Sequence, residues 1–165
     1  MNEGVVVLGL GNLLRRDEGL GVLGVQKLAE TLAFDGPVRL IDGGTLGLGL
    51  LSELEGAAQL MVLDAVLGDG PAGSAVRLAG DDVPVFFGKL VSAHDIGLPD
   101  ILAVMRLRGT GPDEVVVLGL VPGEIELGWG LSQPVEAALD TLVSAARDEL
   151  ARWGVGSSPI MEVVA

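Results

Sequence analysis

Four stretches of this chain are dominated by apolar residues on both faces, and they constrain its fold more than any other feature: Val5–Leu10, Val38–Ile41, Leu60–Val66 and Val115–Val121. Each has strand length, and Val5–Leu10 is rich in β-branched residues and closed by Gly9 and Gly11. A strand without polar alternation needs cover on both sides, which a parallel sheet between two helical layers supplies. The intervening stretches have helical spacing. Leu20, Leu23, Leu28 and Leu32 fit one face of a helix ending near Phe34, before Asp35-Gly36-Pro37. A second helix follows Ser132 as N-cap, with Pro134 in its first turn, where proline is tolerated. Its apolar positions Val135, Leu139, Leu142, Val143, Ala146, Leu150 and Trp153 step by three or four residues, and Gly154 stops it. A further helix is predicted around Pro99–Leu107, with Ile101, Leu102 and Met105 buried. Alternation of strands and helices makes this an α/β sandwich. The link from Val66 to Ala75 is too short for a crossover helix, so Ala75–Leu78 must run antiparallel to its predecessor, giving an otherwise parallel sheet an antiparallel edge.

A chain of 165 residues with no long linker reads as one α/β domain over 1–154, followed by a loosely held tail over 155–165. The absence of cysteine excludes disulfides, cysteine-bound metals and thiol nucleophiles. Ten basic against 23 acidic residues give a net charge of −13, which repels both a nucleic-acid duplex and anionic lipid. No apolar run reaches the length of a membrane span, and the first residues lack a basic signal-peptide start, so the expected compartment is the cytoplasm.

Ligands of such sheets bind outside the carboxyl ends of the parallel strands. Three acidic stretches stand there: Gly9-Leu10-Gly11-Asn12 running on to Asp17-Glu18-Gly19, Asp42-Gly43-Gly44-Thr45, and Asp64 near the end of its run. A dinucleotide fingerprint fits poorly, because Leu14 stands where the third glycine is needed and Asp17-Glu18 would face a pyrophosphate. His94, the single histidine, lies in Val91-Ser92-Ala93-His94-Asp95. Ser92 would point away from it in an extended segment, and no serine occupies a G-x-S-x-G elbow, so a serine triad is disfavoured. Glu18, Asp64 and His94 together offer two oxygen donors and one imidazole, a set suited to nickel, zinc or manganese with coordination positions left open. Each also has a plainer reading. Glu18 could complement a helix dipole, Asp42 and Asp64 could cap turns, and His94 could be an ordinary surface or cap residue.

Taken together, these stretches resemble the nickel–iron hydrogenase maturation endopeptidases. The resemblance is carried by Gly9-Leu10-Gly11-Asn12 with Asp17-Glu18-Gly19-Leu20-Gly21, by Asp42-Gly43-Gly44-Thr45-Leu46-Gly47, by Asp64-Ala65, by His94 with Gly97-Leu98 and Asp100, and by Gly119-Leu120-Val121-Pro122. Their order and spacing run from the first strand to the last helix. The resemblance implies a three-layer α/β sandwich around a twisted, mostly parallel five-stranded sheet with one antiparallel edge strand, in agreement with the pattern above. It implies removal of a C-terminal extension from the hydrogenase large-subunit precursor after nickel insertion. The family's metal-binding residues fall on Glu18, Asp64 and His94, and its activity-linked aspartate on Asp42. Nickel would then be supplied by the substrate's cysteine thiolates and not held permanently, and the enzyme is expected to be a monomer pairing transiently with its precursor. Two rival readings remain: a nickel-binding assembly factor that does not cleave, and a nucleotide-binding regulator.

Overall fold

The computed structural model describes residues 3–44, 47–87 and 97–161. Strand β1 (Val5–Leu10) leads through a 3-10 turn (Arg16–Gly19) into helix α1 (Leu20–Thr31). Then come β2 (Leu32–Phe34), β3 (Val38–Gly44), the short α2 (Leu50–Leu54) and β4 (Gln59–Ala65). Next follow β5 (Ala75–Ala79), α3 (Asp82–Phe87), α4 (Leu98–Arg108), β6 (Glu114–Leu120), α5 (Gln133–Arg152) and β7 (Ser157–Pro159).

The main sheet has the order β3-β1-β4-β6-β5, parallel except for β5, which runs antiparallel at one edge. The antiparallel edge was expected from the short link at 66–74. That link does not make β4 and β5 neighbours, because β6 is inserted between them. The crossing is about two inter-strand spacings, roughly 10 Å, which a link of that length spans without a helix.

Both faces are buried, as the unbroken apolar runs require. Val5, Val7, Met61, Leu63, Val116 and Leu118 meet α1 and α5 through Leu20, Leu28, Val135, Leu142 and Leu150. Val6, Leu8, Leu60, Val62 and Val117 meet α2 and α4 through Leu50, Leu54, Ile101 and Met105. Each such side chain taken fully from water contributes about 1.5–3 kcal/mol, so these two layers are the main source of stability.

Glycine sets how closely α1 approaches the sheet. A methyl group on Gly21 would collide with the carbonyl oxygens of Leu10 and Leu63, and one on Gly9 would collide with the Gly21 carbonyl. The helix backbone therefore rests directly on the ends of β1 and β4.

Two expectations need correction. The first helix ends at Thr31, and Leu32–Phe34 form a strand instead of a last helical turn. The reason lies at the other end of the chain, where β7 pairs antiparallel with β2 and satisfies its backbone. The end of the chain is accordingly not loose over 155–160. Val155 is buried, Gly156 donates to the Asp35 carboxylate, and Ile160 donates to the Thr31 carbonyl.

Candidate functional site

The functional end of the molecule is set by strand register. Gly9 of β1 lies level with Asp42 of β3 on one side and with Leu63 of β4 on the other. Asp64 follows Leu63 and is level with Gly119 of β6. Both acids thus sit at the carboxyl ends of strands flanking β1. Alternation assigns them to opposite sides of the sheet: Asp42 falls in step with Val38 and Leu40 on the α1/α5 side, Asp64 with Leu60 and Val62 on the α2/α4 side. Asp42 is solvent-exposed, whereas Asp64 is 0% exposed, and its Oδ1 accepts a 2.7 Å hydrogen bond from the Ala65 N–H.

Glu18 reaches this end from the 3-10 turn, which packs against β4. A side chain on Gly11 would strike the Glu18 carbonyl, and Gly11 has φ +124°, a backbone conformation that other residues rarely adopt. Glycine at position 11 therefore lets the Glu18 turn fold closely against the strand end. The Glu18 side chain is only 6% exposed, and its Oε2 lies 3.1 Å from Nε of the half-exposed Arg15. A buried carboxylate beside a removable arginine can exchange that partner for a cation.

The structure thus brings Glu18 and Asp64 to one end of the sheet, with Asp42 exposed on the far side of β1. His94 lies outside the described residues, and among the described residues no three histidine, cysteine or acidic side chains gather to hold a metal ion.

Sequence reasoning missed Asp17. It is 0% exposed, yet it accepts four hydrogen bonds: Oδ2 from the N–H of Gly123, the N–H of Glu124 and the hydroxyl of Ser132, and Oδ1 from the Ser132 N–H. Burial pushes its pKa up, but the donors of Glu124, Ser132 and Gly123 outweigh that and hold the carboxyl below the usual carboxylate range. Ser132 occupies the N-cap of α5 as expected, but its hydroxyl is spent on Asp17 and makes no cap bond. The only signal in the sequence was adjacency to Glu18.

Around Asp17 the loop at 122–132 is strapped onto the loop at 12–18. Asp17 N–H donates to the Glu124 carbonyl, Arg16 N–H to the Gly128 carbonyl, and Gly128 N–H to the Leu14 carbonyl. Arg15 Nε reaches the Ile125 carbonyl at 3.1 Å, and Arg16 Nε lies 2.9 Å from the Glu124 carboxylate. These straps hold Arg16 at φ 46°, a left-handed backbone that costs a non-glycine residue about 1 kcal/mol or more.

Two hollows lie elsewhere. A groove of about 750 Å³ runs between α3 and α4, lined by Val83, Phe87, Leu102 and Val115 at the amino end of β6. A smaller one of about 200 Å³ lies beside Arg77 and Glu149. Neither includes Glu18, Asp42 or Asp64.

The sequence profile of the family described as hydrogenase maturation protease matches residues 22–149. The hydrogenase expression/formation protein HupD of Rhodobacter capsulatus is 43% identical over 155 residues, spanning 93% of this chain and 74% of that protein. The hydrogenase 2 maturation protease of Escherichia coli K12 is 32% identical over 156 residues, spanning 94% and 95%. The solved structure of the hydrogenase maturating endopeptidase HybD from E. coli superposes with a TM-score of 0.88 at 31% identity, covering 95% of this chain and 98% of that one.

Proposed function

The chain belongs to the hydrogenase maturation protease family, a family of peptidases, and on that premise we propose that it removes the C-terminal extension of a nickel–iron hydrogenase large-subunit precursor once nickel is in place. The supporting observation is the convergence of two buried carboxylates, Glu18 and Asp64, from separate elements on one end of the sheet. Carboxylates taken from water need partners, and the Arg15 contact of Glu18 is a half-exposed ion pair that a cation can replace. In this reading Glu18, Asp64 and His94 contact nickel that remains part of the substrate, held by the precursor's own thiolates. An oxygen, oxygen and nitrogen set suits a first-row divalent ion, and it lacks the soft thiolates with which the precursor would hold nickel. Bound nickel would polarise a nearby carbonyl or fix the position of the chain.

Asp42 is assigned to water. Exposed at its strand end, its carboxylate is open to solvent and can take a proton from a water molecule attacking the scissile carbonyl. Passing that proton to the departing amine restores the carboxylate and completes hydrolysis with no acyl-enzyme, consistent with a chain that lacks cysteine and any G-x-S-x-G serine. No helix among the described residues is long and apolar enough to cross a membrane. The cytoplasm and a monomer remain the compartment and state expected from the sequence.

The test is cleavage of a cognate precursor, nickel-loaded and nickel-free, read by intact mass. Loss of a short C-terminal peptide from the loaded form alone is expected. Equal cleavage of both forms would remove the metal role from Glu18, Asp64 and His94 while leaving the peptidase. No cleavage of either would favour a nickel-binding assembly factor.

A further inference from the structure

The loop strapped down by Asp17 displays apolar side chains that the fold does not use. Leu127 is 81% exposed and Trp129 74%, and beside them stand Leu14 at 51% and Ile125 at 37%. Aromatic residues make up only 3% of this chain, and one of its two tryptophans is here, facing solvent. Exposed leucines scattered singly need no explanation, but these occupy two loops joined by backbone hydrogen bonds at Leu14, Arg16 and Gly128. The support is rigid. Asp17 fixes Gly123 and Glu124, and Arg16 is held in a strained backbone by the backbone straps to Gly128 and Glu124. A flexible loop could turn such side chains inward, whereas this one holds them out. A tryptophan on a rigid support is a usual anchor of a binding hot spot, with apolar neighbours such as these leucines keeping water from it, and a rigid loop loses little entropy on contact.

Position and charge point to the occupant. The ridge is bonded to the turn that carries Glu18, which places it beside the end of the sheet assigned above to the precursor. Its sequence alternates carboxylates with apolar residues, Glu124-Ile125-Glu126-Leu127, on a chain of net charge −13. Glu124 is engaged by Arg16, while Glu126 is exposed and carries no ion pair among the described residues. The complement is a segment combining apolar and basic side chains. We propose that Leu14, Ile125, Leu127 and Trp129 form the docking ridge for the hydrogenase large-subunit precursor, taking an apolar and basic segment of it and setting the selectivity of cleavage. The proposal rests on the maturation-protease reading above and goes beyond it in naming where the partner lands.

The test uses the full chain labelled with fluorotryptophan, in which Trp129 and Trp153 each give one fluorine NMR signal and Trp129→Phe assigns them. Adding unlabelled precursor should move the Trp129 signal and leave that of Trp153 in place. In processing assays Leu127→Ser and Trp129→Ala should raise KM about tenfold with kcat little changed, the pattern of a lost binding anchor. An unshifted Trp153 signal in Leu127→Ser verifies that the fold survives. Precursor cleaved normally, with the Trp129 signal still and KM unaltered in the variants, overturns the ridge and keeps the peptidase. A Trp129 shift with no cleavage supports the ridge and removes the peptidase reading. A wild type that neither binds nor cleaves the precursor overturns both. A Trp129 signal that moves with protein concentration alone makes the ridge a self-association face and overturns the proposal.

Discussion

Asp17 and Ser132, far apart in the chain, are joined by two hydrogen bonds of 2.7 Å, from the Ser132 N–H to Oδ1 and from its hydroxyl to Oδ2. This pair closes the 3-10 turn bearing Glu18 onto the start of α5, and the same carboxylate also gathers Gly123 and Glu124. An asparagine offers one oxygen where the carboxylate offers two, so in Asp17→Asn an NH2 group must face at least one of these donors. The expected cost is about 2–3 kcal/mol, that of a buried charge-assisted bond lost with its donor left unsatisfied. The acid response adds a second readout. Because the pKa of Asp17 is lowered in the folded state, its stabilisation is complete above the unfolded value, about 3.9, and is lost as pH falls through the folded value. Urea unfolding as a function of pH should therefore show a shallower acid limb in Asp17→Asn than in wild type. Identical limbs would remove Asp17 from this role.

Glu149 makes a separate acid-sensitive contact. It is buried on α5, receives two bonds from Arg77 of β5 at 2.9 and 3.0 Å, and receives a third from Arg152 at 3.1 Å. Its pKa is lowered chiefly by the Arg77 hydrogen bonds, against the opposing effect of burial. Arg77→Met should cost about 2 kcal/mol, less than the roughly 3–5 kcal/mol for a fully orphaned buried carboxylate, because Arg152 remains and Arg77 is itself part-exposed. The loss should shrink below pH 4, where protonation relieves the orphaned charge. A melting-temperature deficit that is the same at pH 7 and pH 3.5 would count against this account.

Gly21→Ala sets two magnitudes against each other. Alanine is the better helix former by about 1 kcal/mol, yet its methyl would enter the space of the Leu10 and Leu63 carbonyl oxygens. Overpacking against backbone costs about 1–3 kcal/mol or more. Net destabilisation is expected, together with a loosened Glu18 turn, since α1 would have to lift from β1 and β4. A variant more stable than wild type in thermal unfolding would show that the helix is not seated so closely.

The sheet was legible because burial on both faces leaves a direct trace in sequence: Val5–Leu10 has no polar residue to hide. The antiparallel β5 followed from the length of a link alone. What stayed hidden depends on partners distant in the chain. Leu32–Phe34 extend the periodicity of α1 and become a strand only because Ser157–Pro159 arrive to pair with them. The short helices α2 and α3 span too few turns for periodicity to register. Glu18, Asp42 and Asp64 stand in acidic stretches after strands, but Asp17 stands in the same stretch as Glu18 and place alone does not reveal its role. Its role is fixed by backbone donors at 123, 124 and 132, and backbone donors look the same in every sequence.

The two proposed roles at the site separate kinetically. Asp42 is exposed and is assigned to the water, so Asp42→Asn should lower kcat by about 10²–10⁴-fold, the range for a lost general base, with precursor binding retained. Glu18 is assigned to the nickel, so Glu18→Gln should instead erase the preference for nickel-loaded over nickel-free precursor. The fold should persist, since among the described residues the ion pair of Glu18 is with half-exposed Arg15 and such pairs contribute about 1 kcal/mol or less. His94→Ala should behave as Glu18→Gln does. Intact-mass time courses on both precursor forms distinguish the two classes. Should Asp42→Asn abolish the nickel preference and Glu18→Gln only slow the reaction, the assignments exchange, and the exposed acid on β3 becomes the one that meets the metal.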